Sequence, residues 1–334
     1  MKAAWPPLPG PPHQGGEGEA SFPSPALRGR IREGANPGAS HAESPESLAL
    51  AGALAHGLLL ELRLTPKPGL VDLEDSGSHR DLTYALMERS VGLVHGYFRE
   101  VAASLSRGEP LGRQVALGRA AERRMLLELG ANTHKGAIFL GGLLLAARHR
   151  AAEDGEAALR RAIAEVAREL LVLAGGREPP APTTPPSPTH GAEARQRFGV
   201  GGILREAAAG LPSLFEVALP AFRAARRAGR APEAAAFATL ASLMRAVEDT
   251  TALHRCGLPG LALLREDGRA LTALLESGRD HLAFLRERNR AWRALNLTMG
   301  GVADLLGMAL GWLTWRGELP AAQGREELSR PSGP

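Results

Sequence analysis

Leu48, Leu50, Leu54, Leu58, Leu59 and Leu62 recur at helical spacing and stop at Thr65-Pro66-Lys67-Pro68-Gly69, where two prolines and a glycine cannot continue a helix. An apolar helical run closed by a short polar turn is repeated to the end of the chain, and this alternation limits the fold more than any other feature. Ser44-Pro45 opens the first run as an N-cap followed by proline at the first helical position. Ser78, with Asp81 three residues on, reads as the capping pair of the second, whose Leu82, Leu86, Leu93, Val94, Tyr97, Phe98 and Val101 share one face. Further runs are expected over 111–129, from Lys135, and over 157–174, 213–228, 232–247, 261–275, 279–295 and from Gly300. Aromatic residues make up only 4% of the chain, while Ala, Leu, Arg and Glu abound, which favours helices over strands. The expectation is an all-α fold: a single multi-helix bundle over 44–316, with its polar inter-helix turns converging on one pocket.

Segments outside the runs carry little apolar surface. Residues 1–43 are rich in Pro, Gly and Ser and are expected to be disordered, 317–334 to be a frayed tail, and 175–189, with six prolines, to be a surface excursion rather than a domain boundary. A single cysteine, Cys256, excludes an internal disulfide framework or a multi-Cys metal site and suits a reducing cytoplasm. No apolar run reaches the roughly 18 residues needed to span a bilayer, and the N-terminus has no hydrophobic export segment. The net charge is +4, but the 40 basic residues are scattered among 36 acidic ones, so a small polyanion fits better than nucleic acid.

Chemistry is concentrated in five polar turns: Thr65 to Asp81, Asn132 to Lys135, His190 to Glu206, Asp249 to Gly257, and Thr298 to Asp304. In Gly130-Ala131-Asn132-Thr133-His134-Lys135-Gly136 small polar residues lead into a cation and then a helix, the layout of an anion site on unpaired N–H groups. The same residues also describe an ordinary capped helix with a solvated lysine. Lysine occurs only at Lys2, Lys67 and Lys135 in a chain otherwise supplied with arginine, and the last two lie in tight turns, where a compact ammonium suits a phosphate. Around Phe198-Gly199-Val200-Gly201-Gly202 a dinucleotide fingerprint fails, because Leu204 stands where GxGxxG needs glycine. Neither GxxxxGK[ST] nor HExxH occurs, which excludes a P-loop ATPase and a zincin-type hydrolase. Acids, cations and helix starts gathered in one pocket would suit a nucleotide triphosphate with Mg²⁺.

Seven co-linear blocks also carry a resemblance. Thr65-Pro66-Lys67-Pro68-Gly69-Leu70-Val71-Asp72, Gly77-Ser78-His79-Arg80-Asp81-Leu82, Asn132-Thr133-His134-Lys135-Gly136-Ala137, Phe198-Gly199, Glu206-Ala207, Asp249-Thr250 with Leu253-His254-Arg255, and Gly300-Gly301-Val302-Ala303-Asp304 resemble the signature blocks of triphosphoribosyl-dephospho-coenzyme A synthases, over about residues 48–312. The 81–106 segment, with Leu86-Met87-Glu88-Arg89-Ser90, looks most like the malonate decarboxylase branch, with the citrate lyase branch as the near alternative. The resemblance implies an ATP-using transferase that joins the triphosphoribosyl group of ATP to the 2′-hydroxyl of 3′-dephospho-CoA and releases adenine. Its product would pass to a transferase that modifies a carrier protein. Such glycosyl transfer needs cations and Mg²⁺ on the triphosphate, a base for the hydroxyl, and exclusion of water. On that basis Lys67, Asn132, Thr133, His134, Lys135, Arg255, Gly300 and Gly301 are expected on the triphosphate, and Asp72, Asp249 and Asp304 around Mg²⁺. Glu206 is expected as the base, with His79 and Asp81 the next candidates. The chain departs from the family pattern at Thr298-Met299, where Ser-Pro is usual, and at Cys256, where glycine is usual. Two rival readings use the same residues: a Mg²⁺-dependent nucleotide hydrolase, and a non-catalytic anion-binding protein.

Overall fold

The computed structural model describes residues 44–151, 154–175 and 201–319. The N-terminal stretch, most of the Pro-rich stretch, His190 and Phe198-Gly199 lie outside the described residues. Helices α1 (Pro45–Arg63), α2 (Tyr84–Ser106), α3 (Leu111–Leu129), α4 (Lys135–Arg150) and α5 (Glu156–Gly175) make up the first half. The second contains α6 (Gly202–Ala208), a π-helical turn at Ser213–Ala218 running into α7 (Leu219–Arg227), α8 (Pro232–Ala246), α9 (Thr250–Glu276), α10 (His281–Leu295) and α11 (Gly300–Trp315). Among the described residues there is no strand, and the all-α expectation is met. No described helix is long and apolar enough to cross a membrane.

α1 and α11 form the hub. α11 is apolar nearly all round, with Val302, Leu305, Leu306, Met308, Ala309, Leu310, Trp312 and Leu313 buried, as expected of a helix enclosed by others. The two axes approach closely through glycine. A Cβ on Gly57 would strike the backbone of Gly307 and Gly311, one on Gly307 would strike Leu58, and one on Gly311 would strike the Leu54 backbone. These contacts fix an antiparallel register, Leu54 with Gly311 and Leu58 with Gly307. One turn further along, Glu61 stands level with Ala303 and Asp304. α4 closes on α2 in the same way, with Gly141 against the Phe98 ring and Gly142 against the Tyr97 hydroxyl.

Two local readings are corrected. The second helix begins at Tyr84 and is capped by Thr83, whose hydroxyl accepts the Leu86 N–H at 3.3 Å, not by Ser78. Ser78 belongs to a buried turn: its N–H donates to the Gly69 carbonyl and its own carbonyl accepts from Arg255, so it has no helix to cap. The stretch from Asp249 to Gly257 is helical from Thr250, because Asp249 caps it, and Gly257 only kinks α9, with φ 64° and ψ −161°. At the far end Glu318 pairs with Arg223 at 2.7 Å and Leu319 is buried; the rest of the expected tail, 320–334, lies outside the described residues.

Candidate active site

The Thr298-to-Asp304 turn is the point where the other polar turns meet. Thr298 is buried and donates its hydroxyl to the Gly69 carbonyl at 2.8 Å; His79 Nε2 lies 3.2 Å from the Thr298 hydroxyl oxygen. On the other side of that ring Arg255 donates to Nδ1 at 3.3 Å, and Arg255 is fixed by the Ser78 carbonyl at 2.8 Å and Asn296 Oδ1 at 3.0 Å. The network therefore assigns the Nε2–H tautomer to His79. Burial, and then the Arg255 charge, lower the His79 pKa to about 4. Gly300 N–H donates to Thr251 Oγ1 at 2.8 Å, and Val302 N–H to Asp249 Oδ2 at 2.9 Å. Asp249 is wholly buried and also accepts the Thr251 and Ala252 N–H groups, each at 2.9 Å. One carboxylate thus caps two helices, α9 and α11, across a contact that leaves little room for a side chain at Gly301.

Asp304, one turn into α11, points its carboxylate at the start of α4. Gly136 has no side chain there for a steric reason: a Cβ would overlap an Asp304 oxygen. The Ala137 N–H faces the carboxylate. The α4 N-terminus, expected to face a phosphate, also faces the Asp304 carboxyl group of the chain itself. Asp304 retains some exposed surface yet is densely enclosed by protein, and burial raises its pKa well above the usual carboxylate range. The nearby Glu61 and Asp249 charges add to that rise, and the Ala137 amide offsets part of it.

Behind Asp304 lies a buried ion pair. Lys67 is 0% exposed; its Nζ donates to Glu61 Oε1 at 2.8 Å and also to the Glu61 carbonyl. Burial raises the Glu61 pKa, and Lys67 opposes that rise. The loop that carries Lys67 is folded by Asp72, also buried, which accepts from the N–H groups of Lys67 at 2.7 Å, Glu74 at 2.8 Å and Asp75 at 3.2 Å. His134 is buried too, with Nδ1 2.7 Å from the Ser90 hydroxyl. Burial, and then the Lys67 charge, lower its pKa to about 4, so His134 is neutral near pH 7. Thr133 completes this polar knot through Ser90 and Met125.

Beside the Asp249–Gly301 junction opens a cleft of about 410 Å³. Glu206, Glu216, Glu248 and Arg265 give it polar walls, and Val217 and Leu305 are among its apolar ones. Glu206 Oε1 accepts the Ser213 N–H, which starts the π-helical turn, while burial raises its pKa.

The family model for ATP:dephospho-CoA triphosphoribosyl transferase matches residues 47–321, most of the chain and all of this site. The chain belongs to this family. A relative in Azotobacter vinelandii, a probable 2-(5″-triphosphoribosyl)-3′-dephosphocoenzyme-A synthase, is 39% identical over 265 residues, covering 77% of this chain and 88% of that protein. The synthase of Klebsiella pneumoniae is 36% identical over 279 residues, covering 81% and 95%. A probable synthase of Stutzerimonas stutzeri is 38% identical over 271 residues, covering 78% and 89%. No solved structure matches the chain.

Within this triphosphoribosyl transferase fold the expected site residues separate into two tiers. Lys67, Asp72, His134 and Asp249 are buried and engaged by the protein itself. Lys135, half exposed, is 3.0 Å from Glu122; Asn132 and Asp81 are exposed at the rim; Arg255 and His79 are partly buried in their own network. Of the expected Mg²⁺ ligands, Asp72 and Asp249 are turned into backbone amides while Asp304 keeps some open surface, and among the described residues no three His, Cys, Asp or Glu side chains come together. Glu61 was not expected here, and Ser90, Thr251 and Thr298, though inside the blocks and turns singled out above, had no expected role. A signal for Glu61 was available, since it is a lone acid inside the apolar run Leu58-Leu59-Leu60-Glu61-Leu62.

Proposed function

We propose that this chain joins the triphosphoribosyl group of ATP to the 2′-hydroxyl of 3′-dephospho-CoA, with release of adenine, and does so at the pole where the Thr298-to-Asp304 turn meets α4 and the Lys67 loop. The observation that carries the reading is the half-open Asp304 carboxyl group, aimed at the start of α4 and set near Glu61 and Asp249. In the transfer the C1′–N9 bond breaks with its electron pair leaving on adenine, the C1′–O2′ bond forms, and the hydroxyl proton must be taken up. Positive charge develops on the ribose ring meanwhile. A carboxylate cluster compensated only in part by Lys67 stabilises that charge, and it does so more strongly out of water. In its ionised form Asp304, with a raised pKa and a single amide partner, takes the hydroxyl proton. His79 has both ring nitrogens engaged, and so serves to position Thr298. Of the expected phosphate ligands, Lys135 and Arg255 have the open surface to meet a triphosphate, and Lys67 and His134 act behind them.

The malonate decarboxylase branch is the pathway proposed, resting on the resemblance in Leu86-Met87-Glu88-Arg89-Ser90. That block ends on Ser90, which touches both Thr133 and His134 and so reaches the site. The product would then be handed to a transferase that loads the carrier subunit. The test is product analysis. Free adenine formed from ATP only when 3′-dephospho-CoA is present is expected; phosphate or pyrophosphate release without adenine would replace transfer by hydrolysis. Loading of the malonate decarboxylase carrier, and not of the citrate lyase carrier, tests the branch.

A further inference from the structure

The cleft beside Gly301 shares Asp249 with the site just described, and its other walls have a distinct composition. Three glutamates, Glu206, Glu216 and Glu248, face it, against two arginines, Arg205 and Arg265. Arg205 stands 4.0 Å from Glu248 and Arg160 pairs with Glu216, while Asp249 adds a fourth carboxyl group to the lining, so carboxyl groups outnumber the guanidinium groups around the cleft. Such walls repel phosphate. They offer carboxylate acceptors to N–H and O–H donors, and Val217, Val247 and Leu305 supply an apolar face beside them. Arg265 is part of the same lining, and a guanidinium can donate to a ring nitrogen or a hydroxyl oxygen. At about 410 Å³ the cleft can hold a base with its sugar. It adjoins Gly301, three residues before Asp304.

We infer that this cleft is the subsite for an adenine nucleoside, with the phosphates lying outside it. The exocyclic amine and the ribose hydroxyls of such a group donate to the glutamates, and its flat ring lies on the apolar face. Both substrates of the proposed reaction carry an adenine nucleoside, and to that extent the inference rests on that reading. Whether the group belongs to ATP or to dephospho-CoA is decided by measurement.

Calorimetry on the full chain with adenosine, tripolyphosphate, ATP and 3′-dephospho-CoA makes the test, using Ile203→Trp to fill the cleft and Glu248→Ala, at a part-exposed position, as a variant that keeps the fold. Adenosine should bind the wild type and weaken at least tenfold in Ile203→Trp and severalfold in Glu248→Ala, while tripolyphosphate changes less than twofold. The same loss in ATP, with dephospho-CoA unaffected, assigns the cleft to the donor; the reverse assigns it to the acceptor. Wild-type adenosine affinity in both variants, no adenosine binding to the wild type, or a loss of tripolyphosphate in place of adenosine overturns the inference. Adenine release by the wild type is scored separately. Its absence would remove the assigned reaction and leave the adenosine result standing.

Discussion

Lys67→Met removes the ammonium from a site that is 0% exposed and leaves Glu61, itself 4% exposed, facing Asp304 with no counter-ion. Breaking a buried pair by deleting one partner costs about 3–5 kcal/mol, because the remaining charge is neither solvated nor neutralised. The Glu61 carbonyl loses its donor as well. Methionine is close to lysine in length and shape, so little of the loss should come from packing. Urea unfolding at pH 7.5, followed by far-UV circular dichroism, measures it. Glu61→Leu combined with Lys67→Met should recover most of the loss, since an apolar pair of similar volume replaces a buried ion pair at little cost. The coupling between the two sites is expected to be at least about 2 kcal/mol. pH gives a second handle. Burial already raises the Glu61 pKa and Lys67 opposes that rise, so in Lys67→Met the carboxyl moves higher still. The native state then holds a proton more tightly than the unfolded chain, and the defect shrinks as pH falls below the folded pKa toward the unfolded value near 4.5. Lys67→Met within about 1 kcal/mol of wild type, or a double variant no more stable than Lys67→Met, would refute the buried counter-ion role.

In Gly136→Ala the new Cβ meets the Asp304 carboxylate, so adenine release should fall at least tenfold while folding loses only about 1–3 kcal/mol; an unchanged rate in a folded variant would take Asp304 out of the chemistry. Asp249→Asn presents an NH₂ to helix N–H groups and should destabilise by about 1–3 kcal/mol, yet leave the Mg²⁺ concentration for half-maximal rate within twofold. A clear rise in that concentration would return Asp249 to a metal shell. His134 refuses a proton down to about pH 4, whereas the unfolded chain accepts it near 6.5, so its contribution to stability falls as pH drops through that window. The raised carboxylates, Asp304 and Glu61 among them, act in the opposite sense, and the difference between wild type and His134→Gln isolates the histidine. From pH 7 to 5 the wild type should lose about 2 kcal/mol more than the variant by this route, measured as unfolding free energy at each pH.

The helical class, the run from Lys135, and the stops at Pro66-Pro68 and Gly130 were all readable in the chain, because helix spacing, prolines and glycines act through neighbours a few residues apart. The list of polar turns was readable for the same reason, and their membership of one family is carried by the order of the blocks. Caps were less readable. Ser78 and Thr83 are both competent N-caps, and partners from outside the local window, among them Arg255, 177 residues away on the Ser78 carbonyl, decide between them. Charge was not readable at all. Lys67, Lys135, His134 and Asp249 looked alike as polar residues in turns, yet the packing of α1 on α11 buries Lys67 on Glu61, leaves Lys135 half in water, renders His134 neutral and turns Asp249 into a cap for two helices. Which ammonium neutralises a carboxylate and which can meet a substrate depends on desolvation and on partners brought in from distant segments. Those quantities are set where Gly57, Gly307 and Gly311 let two helices touch, and no local window of the sequence contains them.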